Sequence, residues 1–393
     1  MTDFTPTPAQ AQRDEAAGFE IGPDFQAFAQ KNDIFSRSFW DPAIHSAKSD
    51  RFYATYRTAL KDWKTADGFT QKDYALRNAA WHVTDIFAEL KEDENRREGY
   101  LDEFTVLRDG PTERIAVESP TAMSAEIKRV GKVIGADLIG VTAFDERWLY
   151  TTKYSRLQDG QKPQELPSGL TNVIVIAQSM DRELIETVPS ALSGAATGLG
   201  YSLDTLVLLT LTQYIRNLGY QAVASMNDTA LAIPLAIQAG LGEYGRHGLL
   251  ITKEFGPRVR LGKIFTDLPL EHDAPIRFGV REFCETCRKC TDACPVKSIA
   301  AGAPNRELHN VSNLVGVRKW TTDAEKCFSF WVNQNSDCSI CIRVCPYNKD
   351  FSHWLHRLGR DLAATPLRGL MLRLDGWLGY GKRKAPKTWW NDA

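Results

Sequence analysis

Cysteine is absent from the first 283 residues of this 393-residue chain and from the last 48. A secreted protein held together by disulfides would spread its cysteines along the chain, so a disulfide framework is disfavoured. No stretch has the 18 or so consecutive apolar residues of a membrane span. The N-terminus lacks the basic start, apolar core and twin arginine of an export leader. These absences predict a cytoplasmic protein without a transmembrane segment; a location at the periplasmic face of the membrane would need a leader that had been removed.

Excess charge is missing as well. The chain has 48 Lys and Arg residues against 49 Asp and Glu residues, a formal net charge of −1. Bulk electrostatics therefore gives no reason to expect nucleic acid as a partner. Hydrophobic residues at 43% and charged residues at 25% are ordinary for a globular protein.

What the chain does contain is eight cysteines packed into residues 284–345. The first run has the spacing C-x2-C-x2-C-x3-C-P and consists of Cys284, Cys287, Cys290 and Cys294. The second run ends in the same way, with its first gap widened to ten residues, and consists of Cys327, Cys338, Cys341 and Cys345. This is the spacing of bacterial ferredoxins that bind two 4Fe–4S clusters. Zinc sites rarely combine three cysteines this closely with a following Cys-Pro.

In two-cluster ferredoxins the fourth cysteine of each run binds the other cluster. The spacing therefore predicts one metal site formed by Cys284, Cys287, Cys290 and Cys345. It predicts a second site formed by Cys294, Cys327, Cys338 and Cys341.

The remainder of the chain alternates between helical and extended patterns, which predicts an α/β core. An aromatic-rich helical region follows an N-terminal segment, residues 1–20, that we expect to be a disordered tail. The predicted elements of the core are a helix at 122–135, strands at 136–144 and 172–180, and a helix that follows the small residues of 190–200 and is capped by Gly219. They continue with a strand at 220–225, a helix at 229–240 and two strands within 249–268.

Other cofactor motifs are missing from this core. The sequence has no G-x-G-x-x-G after a strand, no G-x-x-x-x-G-K-[ST] and no H-E-x-x-H. It also lacks the D-x-H-x-x-G motif whose histidine binds the cobalt of a corrinoid. Its seven histidines form no group beyond the pair His353 and His356, which is more typical of a solvated helix face than of a ligand set.

Along most of its length the chain resembles the corrinoid- and iron–sulfur-dependent reductive dehalogenases. The matching stretches are both cysteine runs, KNDIFSRSFWDP (31–42), IGADLIGV (134–141), GLGEYGRHGLLITKEFGPRVRLG (240–262) and the GYGKRK…WW tail. The resemblance implies a nitroreductase-like corrinoid-binding core with a ferredoxin-like domain docked on it. It also implies cobalamin held base-off, without a histidine on the cobalt, which would explain the missing motif.

On this basis we predict four regions. They are an N-terminal tail and aromatic-rich region (1–120), the corrinoid-binding core (121–275), the ferredoxin-like domain (276–350) and a C-terminal extension packed on the core (351–393).

The resemblance also implies roles for single residues. Tyr201 matches the proton-donating tyrosine of the family, and Asn227 and Arg260 match the pair beside it. Pocket-lining, cofactor-contacting positions are matched by Thr197, Leu261 and Trp331. Taken alone, Tyr201 would be a packing residue, Asn227 a helix N-cap before the 229–240 helix and Arg260 a partner in an ion pair.

The chemistry is consistent with these roles. Replacing a carbon–halogen bond by a carbon–hydrogen bond takes two electrons and a proton, and it releases a halide. A phenol can supply the proton if its phenolate is stabilised, and a neighbouring guanidinium stabilises negative charge.

The expected partners are a small organohalide substrate and a separate ferredoxin or flavoprotein electron donor, with a homodimer as one possible assembly. Two alternative functions are an epoxyqueuosine reductase-like enzyme of tRNA modification and a non-catalytic electron-transfer or corrinoid-binding protein. The first shares the core and the clusters, but only 48 residues follow Cys345, too few for the helical-repeat extension of those enzymes.

Overall fold

The computed structural model describes residues 4–56, 66–93, 100–101, 105–107, 110–155 and 161–391. The first helices are α1 (Pro8–Ala17), α2 (Ile34–Trp40), α3 (Ala47–Ala54), α4 (Gln71–Asp93) and α5 (Pro120–Ile134). The core continues with α6 (Arg182–Glu186), α7 (Ala191–Asn217) and α8 (Ala232–Gln238). The cysteine-containing segment has α9 (Val280–Thr286), α10 (Lys289–Ala293), α11 (Ala324–Gln334) and α12 (Ile340–Arg343). The C-terminal segment has α13 (Trp354–Ala363), α14 (Arg368–Trp377) and α15 (Pro386–Asn391).

The strands are β1 (Leu138–Ala143), β2 (Thr152–Tyr154), β3 (Gln161–Pro163), β4 (Asn172–Ser179), β5 (Ala222–Ser225), β6 (Glu243–Tyr244), β7 (Leu250–Ile251) and β8 (Val259–Thr266). The central sheet has the order β1-β4-β8-β5, and each neighbouring pair is antiparallel. The pairs β2–β3 and β6–β7 form two small separate sheets.

Helices cover both faces of the central sheet, and β4 shows why. Val173 and Val175 belong to the apolar cluster that contains residues of α8. Ile174 and Ile176 belong to the cluster that contains residues of α5 and α7. Because successive side chains of a strand point to opposite faces, an uninterrupted apolar run is what a strand buried on both faces requires. The predicted α/β core is confirmed in this three-layer form.

Helix α7 is longer than the sequence pattern predicts, since the small residues of 190–200 begin the helix where we expected a lead-in to it. Their size lets other elements approach closely. A Cβ atom on Gly198 would stand 2.4 Å from the Trp81 ring, and one on Gly200 would stand 2.6 Å from Arg260 Cγ. Within the described ranges, α7 is the one helix long and apolar enough to cross a membrane by length and composition, and much of it is buried in this fold.

The expectation of a disordered N-terminal tail is wrong for residues 4–20. Helix α1 begins with a capping box in which Thr7 and Gln10 satisfy each other's backbone amides. Asp14 is buried and accepts two hydrogen bonds from the Arg147 guanidinium, at 2.7 and 2.9 Å. The ion pair between Asp14 and Arg147 therefore fixes α1 to the core. The composition of the segment, which is rich in Pro, Ala and Gln, did not indicate this contact.

The segment after the cysteines contacts both the cluster-binding region and the N-terminal helices. Asp375 of α14 accepts hydrogen bonds from Lys289 and Lys349. Near the end of the chain, Trp390 donates its indole hydrogen to Asp73 of α4 at 2.9 Å. Trp390 therefore packs on the N-terminal helices.

Candidate redox site

The first predicted set of cysteines surrounds one small cavity. Its walls are formed by Cys284, Cys287, Cys290 and Cys345, together with His247, Phe283, Pro346 and Tyr347. The geometry therefore brings the last cysteine of the second run to the first three cysteines of the first run, which is the crossover that the spacing predicts.

The second predicted set is also together. Burial raises the pKa of Cys327 to about 11, and the nearby Cys294 thiol adds to the rise. Burial likewise raises the pKa of Cys338 to about 12, with further contributions from Cys327 and Cys294. Burial also raises the pKa of Cys341, and the nearby Cys338, Cys327 and Cys294 thiols add to the rise. These mutual effects require the four thiols to lie close to one another.

Within the part of the chain that the structure describes, no group of three or more His, Cys, Asp or Glu side chains is close enough to hold a single metal ion. A zinc ion draws thiolates to about 2.3 Å from a single centre, whereas the corners of an iron–sulfur cube lie farther apart. Since burial raises the pKa of Cys284 and Cys290 to about 12, an incoming cluster would have to displace their protons.

Arg246 fixes the first cysteine loop to the core, and sequence reasoning missed it. Its buried guanidinium donates hydrogen bonds to the backbone carbonyl oxygens of Cys284 and Cys287 at 2.8 to 3.1 Å. It also donates to the carbonyl oxygens of Ala300 and Gly302, at 2.9 and 2.8 Å. The only sequence signal was its position in the 240–262 stretch, which resembles the reductive dehalogenases. That resemblance did not indicate a role for Arg246.

The two cysteine sets lie beside each other, and the second set is the one that contacts helix α7. Cys290 of the first set and Cys294 and Cys341 of the second share one apolar cluster. Cys341 also packs with residues of α7 that include Leu192 and Ala195. The second set is therefore the one next to the helix that contains Tyr201.

Tyr201, Asn227 and Arg260 are brought together by three different elements. Tyr201 lies in α7, Asn227 in the turn after β5 and Arg260 in β8. The Asn227 side-chain amide donates a hydrogen bond to the Tyr201 hydroxyl. The Arg260 guanidinium lies over the Tyr201 ring, 4.9 Å from its centre. Because Asn227 is exposed, the tyrosine hydroxyl lies at the edge of a face that a ligand can reach.

The simpler structural roles of Asn227 and Arg260, a helix N-cap and an ion-pair partner, do not match the geometry, whereas a packing role for Tyr201 does. Helix α8 begins at Ala232, with Leu231 at its N-cap, so Asn227 caps no helix. Within the described ranges Arg260 makes no salt bridge within 4.0 Å, and its Nε has no hydrogen-bond partner. The Trp81 ring packs against Tyr201 with ring centres 5.0 Å apart.

A buried carboxyl group lies behind this face. Asp204 follows Tyr201 by three residues and therefore lies on the same side of α7. Its side chain is fully buried. Neither of its carboxyl oxygens has a hydrogen-bond partner in the described structure. Burial raises the pKa of Asp204 to about 8, although the charges of Arg260 and Lys263 act to lower it. Nothing in the sequence distinguished this residue, because a polar position within an apolar helix reads as an exposed one.

The remaining predicted pocket residues are more scattered. Thr197 lies one turn before Tyr201 and is buried. Trp331 lies in α11, one turn after Cys327, and its ring centre is 5.4 Å from that of Phe35. Leu261 follows Arg260 in β8, so it points to the opposite face of the sheet and packs in the core there. Their contact with a cofactor stays a prediction.

Comparison of the sequence with known proteins shows which family this chain belongs to. A model of the reductive dehalogenase subunit matches residues 154–270, and a model of the 4Fe–4S double cluster binding domain matches residues 283–348. The chain is 37% identical over 305 residues to a tetrachloroethene reductive dehalogenase of Desulfitobacterium hafniense, which covers 67% of this chain and 55% of that protein. The chain thus spans little more than half the length of that relative.

A solved reductive dehalogenase described as B12-dependent superposes with a TM-score of 0.73 at 23% identity, over 93% of this chain and 48% of the other. An epoxyqueuosine reductase of Lactococcus garvieae is more distant, at 29% identity over 149 residues, 34% of this chain and 36% of that protein. The chain belongs to the reductive dehalogenase family. Its cysteine-containing segment is a domain that binds two 4Fe–4S clusters.

Proposed function

We propose that this protein is a cobalamin-dependent reductive dehalogenase that replaces a halogen of an organohalide by hydrogen. In the balanced reaction R–X, two electrons and one proton give R–H and a halide ion. The observation that carries the proposal is the Tyr201, Asn227 and Arg260 group next to a domain that binds two clusters. The clusters supply single electrons and the phenol supplies a proton, and both are needed by this reaction.

The residues around Tyr201 fit a corrinoid. The indole nitrogen of Trp81 and the Nε of Arg260 are buried, belong to side chains in contact with Tyr201, and have no hydrogen-bond partner among the described residues. They are donors available to a large polar cofactor. When bound, cobalamin supplies a cobalt centre reducing enough to attack a carbon–halogen bond.

Each of the three residues has a defined task in this proposal. Because Asn227 donates to the Tyr201 oxygen, the phenolic hydrogen is free to be given to the substrate carbon. The charge left on the phenolate is stabilised by the Asn227 donor and by the Arg260 guanidinium. The same guanidinium can attract the departing halide.

The packing supports an order of electron transfer. The Cys284 set lies under the C-terminal helices, and the Cys294 set lies against α7. Electrons would enter at the Cys284 set, pass to the Cys294 set and from there reach the corrinoid. A separate ferredoxin or flavoprotein is the proposed donor.

The aromatic side chains near Tyr201 favour a planar halogenated substrate. Trp81 contacts Tyr201, and Tyr56 contacts Trp81 with ring centres 5.6 Å apart. Flat apolar rings offer stacking surfaces to a halogenated aromatic ring.

The test is anaerobic reconstitution with iron, sulfide and cobalamin, followed by electron paramagnetic resonance and halide release from a panel of halophenols. The proposal expects a base-off cob(II)alamin signal, two reduced clusters and halide release that stops in the Tyr201→Phe variant. A base-off signal unaffected by every organohalide would favour the tRNA-modifying alternative. Two clusters without bound corrinoid would leave an electron carrier.

A further inference from the structure

Two of the side chains that line the Cys284 cavity each carry a buried polar atom with no hydrogen-bond partner within the described residues. These atoms are the hydroxyl oxygen of Tyr347 and the Nε2 of His247. Tyr347 is 2% exposed and His247 is 5% exposed, so water does not replace the missing partners. A buried polar group without a partner costs roughly 1 to 3 kcal/mol, and such groups in native proteins call for an explanation.

The hydrogen on His247 can be placed from its other contact. The backbone N–H of Leu249 donates to His247 Nδ1 at 3.2 Å. Nδ1 is therefore the acceptor of a neutral ring, and the hydrogen is on Nε2. The unpartnered atom is a donor.

The Tyr347 hydroxyl is held in position by the packing of its ring. The ring meets Phe283 edge-on at a centre distance of 5.4 Å and Phe278 at 6.0 Å. Phe283 precedes Cys284, and Tyr347 follows Cys345 by two residues. The same loops that place the thiols therefore also place this hydroxyl.

Four cysteines line the same cavity, and their thiols are the predicted ligands of one cluster. We infer that the Tyr347 hydroxyl and the His247 Nε2–H donate hydrogen bonds to the sulfur atoms of the cluster bound by Cys284, Cys287, Cys290 and Cys345, and that they raise its reduction potential. A reduced cluster carries one more negative charge than an oxidised one, so donors aimed at its sulfurs stabilise the reduced form. This inference depends on cluster binding alone and not on dehalogenation.

Tyr347→Phe is the sharpest test, because it removes one oxygen atom and keeps the ring. Redox titration followed by electron paramagnetic resonance should show a lower potential for the cluster of the Cys284 set. The second cluster of the same molecule is an internal reference and should keep its potential. His247→Leu should also lower the potential of the cluster of the Cys284 set. His247→Gln should lower it less, because glutamine retains a donor. The double variant Tyr347→Phe/His247→Leu should have the lowest potential.

Tyr244→Phe is the matched control. Tyr244 also lies near this cluster, but its hydroxyl already donates to the backbone oxygen of Trp320 at 3.1 Å. Its removal should leave both potentials unchanged. A Cys287→Ser variant shows which of the two signals belongs to the Cys284 set.

Unchanged potentials in Tyr347→Phe would overturn the inference for the hydroxyl, even if the His247 variants fail to bind clusters. Equal shifts of both clusters would also overturn it, since they would indicate a general change in the domain. Absence of dehalogenation in the wild-type protein would bear on the proposed function and leave this result intact.

Discussion

The Arg260 guanidinium lies 4.9 Å from the centre of the Tyr201 ring and makes no hydrogen bond to the Tyr201 hydroxyl. The hydroxyl is bonded to Asn227 instead. Positive charge and hydrogen bonding therefore reach the phenol from two different residues on two different elements. The two effects can be removed separately by mutation, which makes the proposed mechanism testable in parts.

Removing the phenolic oxygen should abolish proton transfer. In Tyr201→Phe we expect halide release to fall by about 10²- to 10⁴-fold, the usual contribution of a positioned general acid. Iron content, cluster spectra and cobalamin binding should stay at wild-type levels because the ring and its contact with Trp81 remain. Wild-type turnover would show that another group provides the proton.

Removing the charge should slow the reaction while the phenol remains. Arg260→Met retains much of the side-chain length, and we expect a loss of about 10²- to 10³-fold, as for the removal of one preorganised electrostatic group. Arg260→Lys should recover only part of the rate, since a point charge does not reproduce the planar guanidinium. A fully active Met variant would make Arg260 a packing residue.

The stability of the protein should depend on pH through Asp204. Its pKa is raised by burial to about 8 in the folded protein, against about 3.9 in an unfolded chain. The folded state therefore binds a proton that the unfolded state has lost, and this contribution to stability decreases as the pH rises from about 4 to 8.

Asp204→Asn should remove that dependence, because the amide does not titrate. Chemical denaturation at a series of pH values should show the variant gaining stability relative to wild type between pH 5 and 8. Asp273→Asn is a suitable control, since Asp273 pairs with Lys128 on a different part of the molecule. Parallel pH curves for wild type and Asp204→Asn would contradict the prediction.

Arg246 should be required for the first cluster. Arg246→Met removes the guanidinium donor of the carbonyl oxygens of Cys284 and Cys287, and an unsatisfied buried group costs roughly 1 to 3 kcal/mol. The carbonyl oxygens of Ala300 and Gly302 keep a second donor in Thr291 and Trp320. We expect loss of the Cys284-set signal, about half the iron and a lower melting temperature. Arg288→Met, at an exposed position of the same loop, should retain both clusters; equal iron in both variants would remove the assigned role of Arg246.

The sequence was informative where chemistry requires a fixed spacing or period. The cysteine spacing predicts which thiols meet, and the apolar run at 172–180 predicts strand β4. Contacts between distant segments could not be predicted in this way. Arg246 and Cys284 are 38 positions apart and Asp14 and Arg147 are 133 apart, and a single sequence contains no signal that pairs them.

The candidate site was predictable only through resemblance. Tyr201, Asn227 and Arg260 lie on three elements, so their meeting depends on how α7 packs against β8. Small residues make that packing possible, as the approach of Arg260 to Gly200 shows. The sequence pattern showed the small residues but not what they approach.

The C-terminal helices have a consequence for how the protein is made. Ala363 of α13 and Met371 of α14 pack in the same apolar cluster as Cys284, Cys287 and Cys345. These helices follow the cysteines in the chain, and once docked they cover the first cysteine set. We expect iron and sulfide to reach that set most readily before α13 and α14 dock over the thiols. Cluster insertion and the docking of these helices would then be ordered in time, and replacing a lost cluster would require α13 and α14 to open again.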